Sequence, residues 1–263
     1  MSAEDATFNT AVAHQARVYD YWLGGRDNYA ADRATGDAVK DVYPGIVAAV
    51  RAQRAFLGRA VRFLAADAGI RQFLDIGTGI PASDNTHEVA QAVTPAARIV
   101  YVDKDPVVLA HAHALLTGGL TDYVDADLHD TAGILDKAAA TLDFAQPVAV
   151  MLLGILQVIP DDDNPWEIVG QLVNAVTPGS YLAIAHPASD VLGAGPGAEA
   201  QRRYNENAAE PVTLRTHEQV SRFFTGVDLV EPGVVPADQW RPPVAVRPRS
   251  DLAIYAGVGR KPE

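Results

Sequence analysis

Short apolar runs alternate along the chain with longer stretches whose apolar residues recur every three or four positions. The first kind predicts strands and the second predicts helices. Strands are expected at 73–76, 98–105, 123–127, 147–153 and 181–185, with two late ones near 228–230 and 252–256. The run at 147–153 is almost continuously apolar, as a parallel strand covered on both faces must be. Helices are expected at 32–42, 46–66, 106–116, 131–142 and 216–224, and others follow the first strand and open near 161–165. Pro106 suits the first helical position, and Asp105 before it suits the cap. A short helix from about residue 13 ends at Gly24-Gly25, as the C-cap rule requires. Residues 1–12 are small and polar, a loose end, and the polar stretch 188–211 interrupts the alternation. Strands separated by helices imply a mostly parallel sheet with right-handed crossovers. The two late strands have no helix between them and are expected as an antiparallel pair at one edge.

Phe73-Leu74-Asp75-Ile76-Gly77-Thr78-Gly79-Ile80-Pro81-Ala82 is the centre of the pattern. A buried strand runs into a glycine turn, where positive φ and a close approach to a ligand are both possible. In an open α/β sheet that turn lies at the ligand crevice. Glycines at this spacing also fit the dinucleotide fingerprint, so they do not decide the ligand. The acids do. Asp75, Asp103 and Asp127 fall at the carboxyl ends of three successive strands. Carboxylates accept from hydroxyl and amino groups and repel phosphate. Asp103 suits two ribose hydroxyls, Asp127 an adenine amine, and Asp75 a cationic group. An adenosine bearing a sulfonium and an ammonium fits this set better than a pyrophosphate does.

Charge narrows the choices further. The formal net charge of −12 argues against nucleic acid and anionic membranes as partners. With no cysteine there is no disulfide, thiolate metal site or cysteine nucleophile. The seven histidines form no H-E-x-x-H motif, so no metal is expected, and no G-x-S-x-G elbow is present. The first residues lack the basic and apolar regions of a signal peptide, and no apolar run reaches the ~18 residues of a membrane span, so a cytoplasmic protein is expected. His186, at the end of the fifth strand, is a candidate general base. The helix at 46–66 carries Arg51, Arg54, Arg59 and Arg62, one of which could hold a ligand carboxylate, and the pattern does not choose among them.

Asp75-x-Gly77-x-Gly79, Asp103 and Asp127 on this alternation resemble the class I S-adenosylmethionine-dependent methyltransferases. The stretch from Arg17 to Tyr29 (RVYDYWLGGRDNY), with FLDIGTGIP, YVDKDPVVLAHA, DADLHD and IPDDDNP, is similar to a bacterial family of such enzymes whose substrate is unassigned. The resemblance spans about residues 14–258. It implies an α/β fold with a doubly wound, seven-stranded sheet, mostly parallel with an antiparallel last strand. It also implies a single methyltransferase-like domain, with residues 1–68 as a helical cap and 69–263 as a Rossmann-like core. The cofactor set expected is Tyr19, Tyr21, Gly25 and Asn28 from the N-terminal segment, with Asp75, Gly77, Thr78, Gly79, Asp103, Lys104, Asp127 and Leu128 from the strand ends. S-adenosylmethionine is the expected cofactor, S-adenosylhomocysteine the product, and a small molecule the substrate. The sequence departs from the family pattern at Gln157, where relatives often carry histidine. Two rival readings stay open on the residues alone: an NAD-dependent oxidoreductase and a non-enzymatic S-adenosylmethionine-binding regulator.

Overall fold

The computed structural model describes residues 9–263 apart from 116–118, 194, 245–246, 248 and 250. Its strands are β1 (Gln72–Ile76), β2 (Arg98–Asp103), β3 (Thr121–Asp125), β4 (Ala149–Leu153), β5 (Tyr181–Pro187), β6 (Asp228–Leu229), β7 (Val235–Pro236) and β8 (Ile254–Arg260). They form one sheet in the order β3-β2-β1-β4-β5-β8-β6, with the two-residue β7 also paired to β8. The pairs from β3 through β5 are parallel. β8 runs antiparallel to β5, β6 and β7. The expected antiparallel pair is therefore present, but its C-terminal member is inserted between β5 and the edge. Strand order reverses between β1 and β4, and the loops after these two strands diverge there. That switch point is where open α/β sheets hold ligands.

Nine helices are described: α1 (Gln15–Leu23), α2 (Ala30–Val42), α3 (Ile46–Ala66), α4 (Thr86–Val93), α5 (Pro106–Leu115), α6 (Thr131–Ala138), α7 (Pro165–Ala175), α8 (Pro196–Asn205) and α9 (His217–Arg222). The expected end of α5 at 116–118 and most of the expected loose end at 1–12 lie outside the described residues. Alternation along each strand sends neighbours to opposite faces. Phe73, Ile99, Met151 and Ala183 pack with Phe56, Leu57, Val61 and Leu64 of α3. Leu74, Val100, Val150, Leu182 and Ile184 pack with Ile134 of α6, Leu172 of α7 and Val220 of α9.

The helix α3, grouped with the cap by sequence, lies on the sheet. Its Phe56 and Phe63 meet the fully buried Trp240 edge-on, with centroids 5.3 and 5.8 Å away. Its Arg59 donates to the carbonyls of Trp240 and Ala237. The other N-terminal helices are tied together by a buried ion pair. Arg17, 4% exposed, donates to Asp32 Oδ1 at 3.2 Å and to the carbonyls of Asn9 and Val12. Asp32 also accepts from the backbone N–H groups of His14 and Tyr29. With both carboxylate oxygens engaged, this pair avoids the penalty of an uncompensated buried charge. α2 packs on α8, the helix formed by the polar interruption, and Arg203 of α8 donates to the Ala38 carbonyl. Helices α1, α2 and α8 thereby wall a space beside the carboxyl ends of β4 and β5.

Candidate functional site

Two cavities meet at the carboxyl edge of the sheet. The first, about 1100 Å³ and partly open to solvent, is a cleft over the ends of β1, β2 and β3. Its lining includes Asp75, Gly77, Thr78, Gly79, Asp103, Lys104, Asp127 and Leu128, and, from elsewhere in the chain, His14, Gln15, Tyr19, Gln53, Arg54, Gly154 and Glu210. The turn after β1 is held by the N–H groups of Gly77 and Thr78, which donate to the Val102 carbonyl. Gly77 and Gly79 both take positive φ, +73° and +66°. A Cβ on Gly77 would lie 2.5 Å from the side chain of Ile155, so only glycine fits there.

Each acid has a distinct setting. Asp75 accepts from Thr86 Oγ1 at 2.6 Å, and burial pushes its carboxyl up to about 6. Asp103 accepts from the Gly79 N–H at 2.8 Å and the Asp105 N–H at 3.0 Å, and burial raises its pKa. These bonds aim the carboxylate while each oxygen keeps a second lone pair. Asp127 accepts from the Lys104 ammonium at 2.8 Å and from the His129 N–H at 2.9 Å. Burial opposes its ionisation, but those donors outweigh it and hold its pKa below the ordinary carboxylate range. Lys104 also reaches Glu210 at 2.5 Å. His14 lies 2.9 Å from Asp105, an ion-pair distance without an aligned hydrogen bond. Burial lowers the pKa of His14, yet Asp105 more than offsets it and the net shift is upward.

The second cavity, about 820 Å³ and likewise partly open to solvent, shares Gln15, Tyr19, Gln53 and Gly154 with the first. The rest of its lining is largely apolar and aromatic, including Trp22, Tyr43, Ile46 and Val50 from the N-terminal half and Tyr204 and Val212 from α8 and the loop beyond it. Gly154 is the hub between the two. Its φ is +83°, and a Cβ there would meet Gln53 Nε2 at 2.4 Å. Its carbonyl accepts from Gln15 Nε2 at 2.6 Å and from Gln157 Nε2 at 2.7 Å.

Not every expected site residue lines a cavity. Tyr21, Gly25 and Asn28 line neither cavity. The Tyr21 hydroxyl donates to Asp37, and Asn28 donates to Asp20 and to the Gly25 carbonyl, so they organise the α1–α2 turn. His186 is not placed to act as a base. It is fully buried, on the sheet face of Leu182 and Ile184, stacked on Phe223 and 2.8 Å from the Arg215 guanidinium. Burial and the adjacent arginine push its pKa down to about 3. Gln157, at the departure from the family pattern, is held by Gly154 beside the second cavity. Of the four arginines on α3, Arg54 lines the cleft, anchored on the Ser83 carbonyl and Asn85. The residues that sequence reading did not select, His14, Gln15, Gln53, Gly154 and Glu210, carry no motif and are brought in by tertiary packing alone.

The residues present fit an adenosyl sulfonium. Beside Gly79 a Cβ would meet nothing nearer than Ala16 at 4.0 Å, so the turn faces open space. The acids flank that space, and Lys104 is already engaged by two carboxylates rather than free for phosphate. Sheet order, switch-point cleft and strand-end acids define a class I methyltransferase. The chain belongs to the S-adenosyl methyltransferase family, whose model matches residues 1–262. Its cofactor is S-adenosylmethionine, and the dinucleotide and non-enzymatic readings give way. A DUF574 family protein from Streptomyces avermitilis MA-4680 is 42% identical over 97% of this chain and 99% of that one, with a TM-score of 0.91. A candidate methyltransferase from Thermobifida fusca YX is 40% identical over the whole of both chains, with a TM-score of 0.92. An O-methyltransferase family protein from Burkholderia thailandensis, 16% identical over 78% of this chain and 55% of that one at a TM-score of 0.52, shares the fold. Among curated proteins none matches this chain.

Proposed function

We propose that the cleft holds S-adenosylmethionine with its ribose on Asp103, its adenine against Asp127 and Leu128, and its methionyl end by Gly77–Gly79, Asp75 and Arg54, and that a small molecule takes the methyl group in the second cavity. The observation that carries this reading is the junction at Gly154, the one place where a polar, acid-lined cleft opens onto an apolar chamber among the described residues. S-adenosylmethionine supplies a methyl group on a cationic sulfur. The chain's part is to bind and orient. Asp103 and Asp127 accept from hydroxyl and amino groups, and Arg54, whose Nε and Nη2 are held by Ser83 and Asn85, has Nη1 to donate to a carboxylate. Tyr19, which lines both cavities, donates its hydroxyl to the Val50 carbonyl and presents its ring at the junction. α1, α2 and α8 wall the acceptor side. Holding two reactants in line supplies a large part of the rate by itself.

Small molecules rather than nucleic acids are the acceptors on this reading, since the net charge is −12 and the described lining of the second cavity carries no cation. Among the described residues no helix is long and apolar enough to cross a membrane. Calorimetry with S-adenosylhomocysteine and with NAD tests the assignment. S-adenosylhomocysteine is expected to bind and NAD to bind far more weakly, because two phosphates would face Asp75, Asp103 and Asp127. Equal affinity for both would overturn these residue roles.

A further inference from the structure

The second cavity restricts its occupant through what its walls withhold. Its described lining holds no Asp, Glu, Lys, Arg or His. The polar side chains left there are four glutamines, three tyrosines and a tryptophan. Seven of these eight are turned to the backbone. Gln15 and Gln157 both donate to the Gly154 carbonyl, Gln53 donates to Leu153 and Gln201 to Val212. The Tyr19 hydroxyl donates to the Val50 carbonyl, the Tyr43 hydroxyl to Asp251 and the Trp22 indole N–H to Gly36. The eighth, Tyr204, has its hydroxyl oxygen buried, as are the amide oxygens of Gln15 and Gln157, so a ligand in the cavity does not reach those three atoms.

Polar groups spent on the protein's own backbone are not offered to a ligand. What the walls present is mainly carbon, from residues such as Val39, Ile46, Val50 and Leu214. Apolar surface moved from water onto such walls is favoured, and a polar group moved there without a partner is penalised, an ion most of all. The neighbouring cleft is built the opposite way, with Asp75, Asp103, Asp127 and Arg54 in its lining. Sugar, ammonium and carboxylate groups have partners in the cleft that the second cavity lacks.

The cavity is partly open to solvent, so a charge left at its mouth keeps its water. The restriction falls on the inward part of the molecule. The atom that takes the methyl group has to lie at that inner end, since the cleft and the cavity meet at Gln15, Tyr19, Gln53 and Gly154. A volume of about 820 Å³ is that of a site for a small organic ligand.

We propose that the methyl acceptor is an uncharged molecule with a largely hydrocarbon body, which fills the second cavity and presents its nucleophilic atom beside Gly154. That atom's electron pair forms the bond to the methyl carbon, sulfur keeps the pair of the broken carbon–sulfur bond, and the proton on the acceptor atom leaves to water. This rests on the cofactor assignment above, and the test separates the two. S-adenosylhomocysteine binding is measured first by calorimetry, and its failure would overturn the cofactor assignment and this inference with it. With S-adenosylhomocysteine bound, 2-naphthol, naphthalene-2-carboxylate, the ammonium form of 2-naphthylmethylamine, and uridine, which is neutral but polar, are titrated at neutral pH. 2-Naphthol is expected to bind at least about tenfold more tightly than each of the others. With S-adenosylmethionine instead, mass spectrometry should find methyl on 2-naphthol sooner than on any of them. Ala200→Phe, in the lining on α8, should weaken 2-naphthol by at least about tenfold and leave S-adenosylhomocysteine affinity within about twofold, which also shows that the variant is folded. Leu192→Trp, in the lining on the loop before α8, should do the same and decides the matter where Ala200→Phe does not fold. An ion or uridine bound as tightly as 2-naphthol, no 2-naphthol binding beside bound S-adenosylhomocysteine, faster methylation of any other probe, or an unaltered 2-naphthol affinity in the folded variants would each overturn the proposal.

Discussion

The cleft over β1, β2 and β3 is lined with charge: three strand-end carboxylates, each braced by donors from nearby groups, and a lysine already paired. In the chamber next to it the described lining is uncharged, and the polar atoms are amides and hydroxyls. The two spaces share only four residues, Gln15, Tyr19, Gln53 and Gly154. The difference shows that one sheet edge can set a charged space directly beside an uncharged one. The charged end is surrounded by protein donors, and the apolar end is walled by α1, α2 and α8.

That contrast can be broken from either side. The largest effect is expected from Asp103→Ala. Losing two charge-assisted hydrogen bonds at about 1.5–3 kcal/mol each lowers S-adenosylhomocysteine affinity by at least about a hundredfold. Calorimetry should show this with the fold intact by circular dichroism, and an unchanged affinity would reject the ribose assignment. Ala200→Phe works on the other chamber. Ala200 lies on α8 in the apolar lining, 8% exposed, and a phenyl ring there takes up acceptor space. Acceptor turnover should drop by about tenfold, since overpacking costs roughly 1–3 kcal/mol, while S-adenosylhomocysteine affinity stays within about twofold. Loss of cofactor binding instead would mean the two spaces are not separate.

The smallest effect concerns the bridge from His14 to Asp105. The pKa of His14 lies above its ordinary 6.5, so its contribution is complete below that value and fades as pH rises through the raised one. Burial opposes ionisation of Asp105, but His14 more than offsets it, so the Asp105 pKa lies below its ordinary 3.8. Its contribution is present above 3.8 and fades only as pH falls through the lowered value. The melting temperature should therefore decline by about 2 °C as pH rises from about 6 to about 8, a size typical of a single partly exposed pair. His14→Gln should flatten that slope, and an unchanged slope in the variant would remove the bridge as its source.

The same contrast governs what could be read from the sequence. The cleft is built from strand ends, so an apolar run, a glycine pair and an acid at a fixed offset announce it. Asp75, Asp103 and Asp127 all line it as the pattern places them, although β3 ends two residues before Asp127. The chamber is assembled from single residues of α1, α2, α3, α8 and the loops after β4 and β5, and glutamines carry no periodic signal. Tyr21 shows the limit in one residue. An aromatic two positions from Tyr19 on a helix must point elsewhere, and it does, toward Asp37. His186 failed for the complementary reason. A strand's alternation alone sets which face a side chain takes, and position 186 shares its face with 182 and 184, away from the cavities.

The position of β8 has a consequence for how the molecule is made. It is the last strand in the chain, yet it bridges β5 to β6 and β7, pairing seven residues with β5. A nascent chain that has emerged only through Leu252 can have β1 to β5 in register, but β6 and β7 have nothing to pair with. On a ribosome, the edge of β5 stays open until residues 254–260 have emerged, and an open strand edge is where unwanted pairing begins. Fusions or truncations that disturb residues 254–260 should therefore lower the yield of soluble protein more than equal changes at the described N-terminal residues before α1.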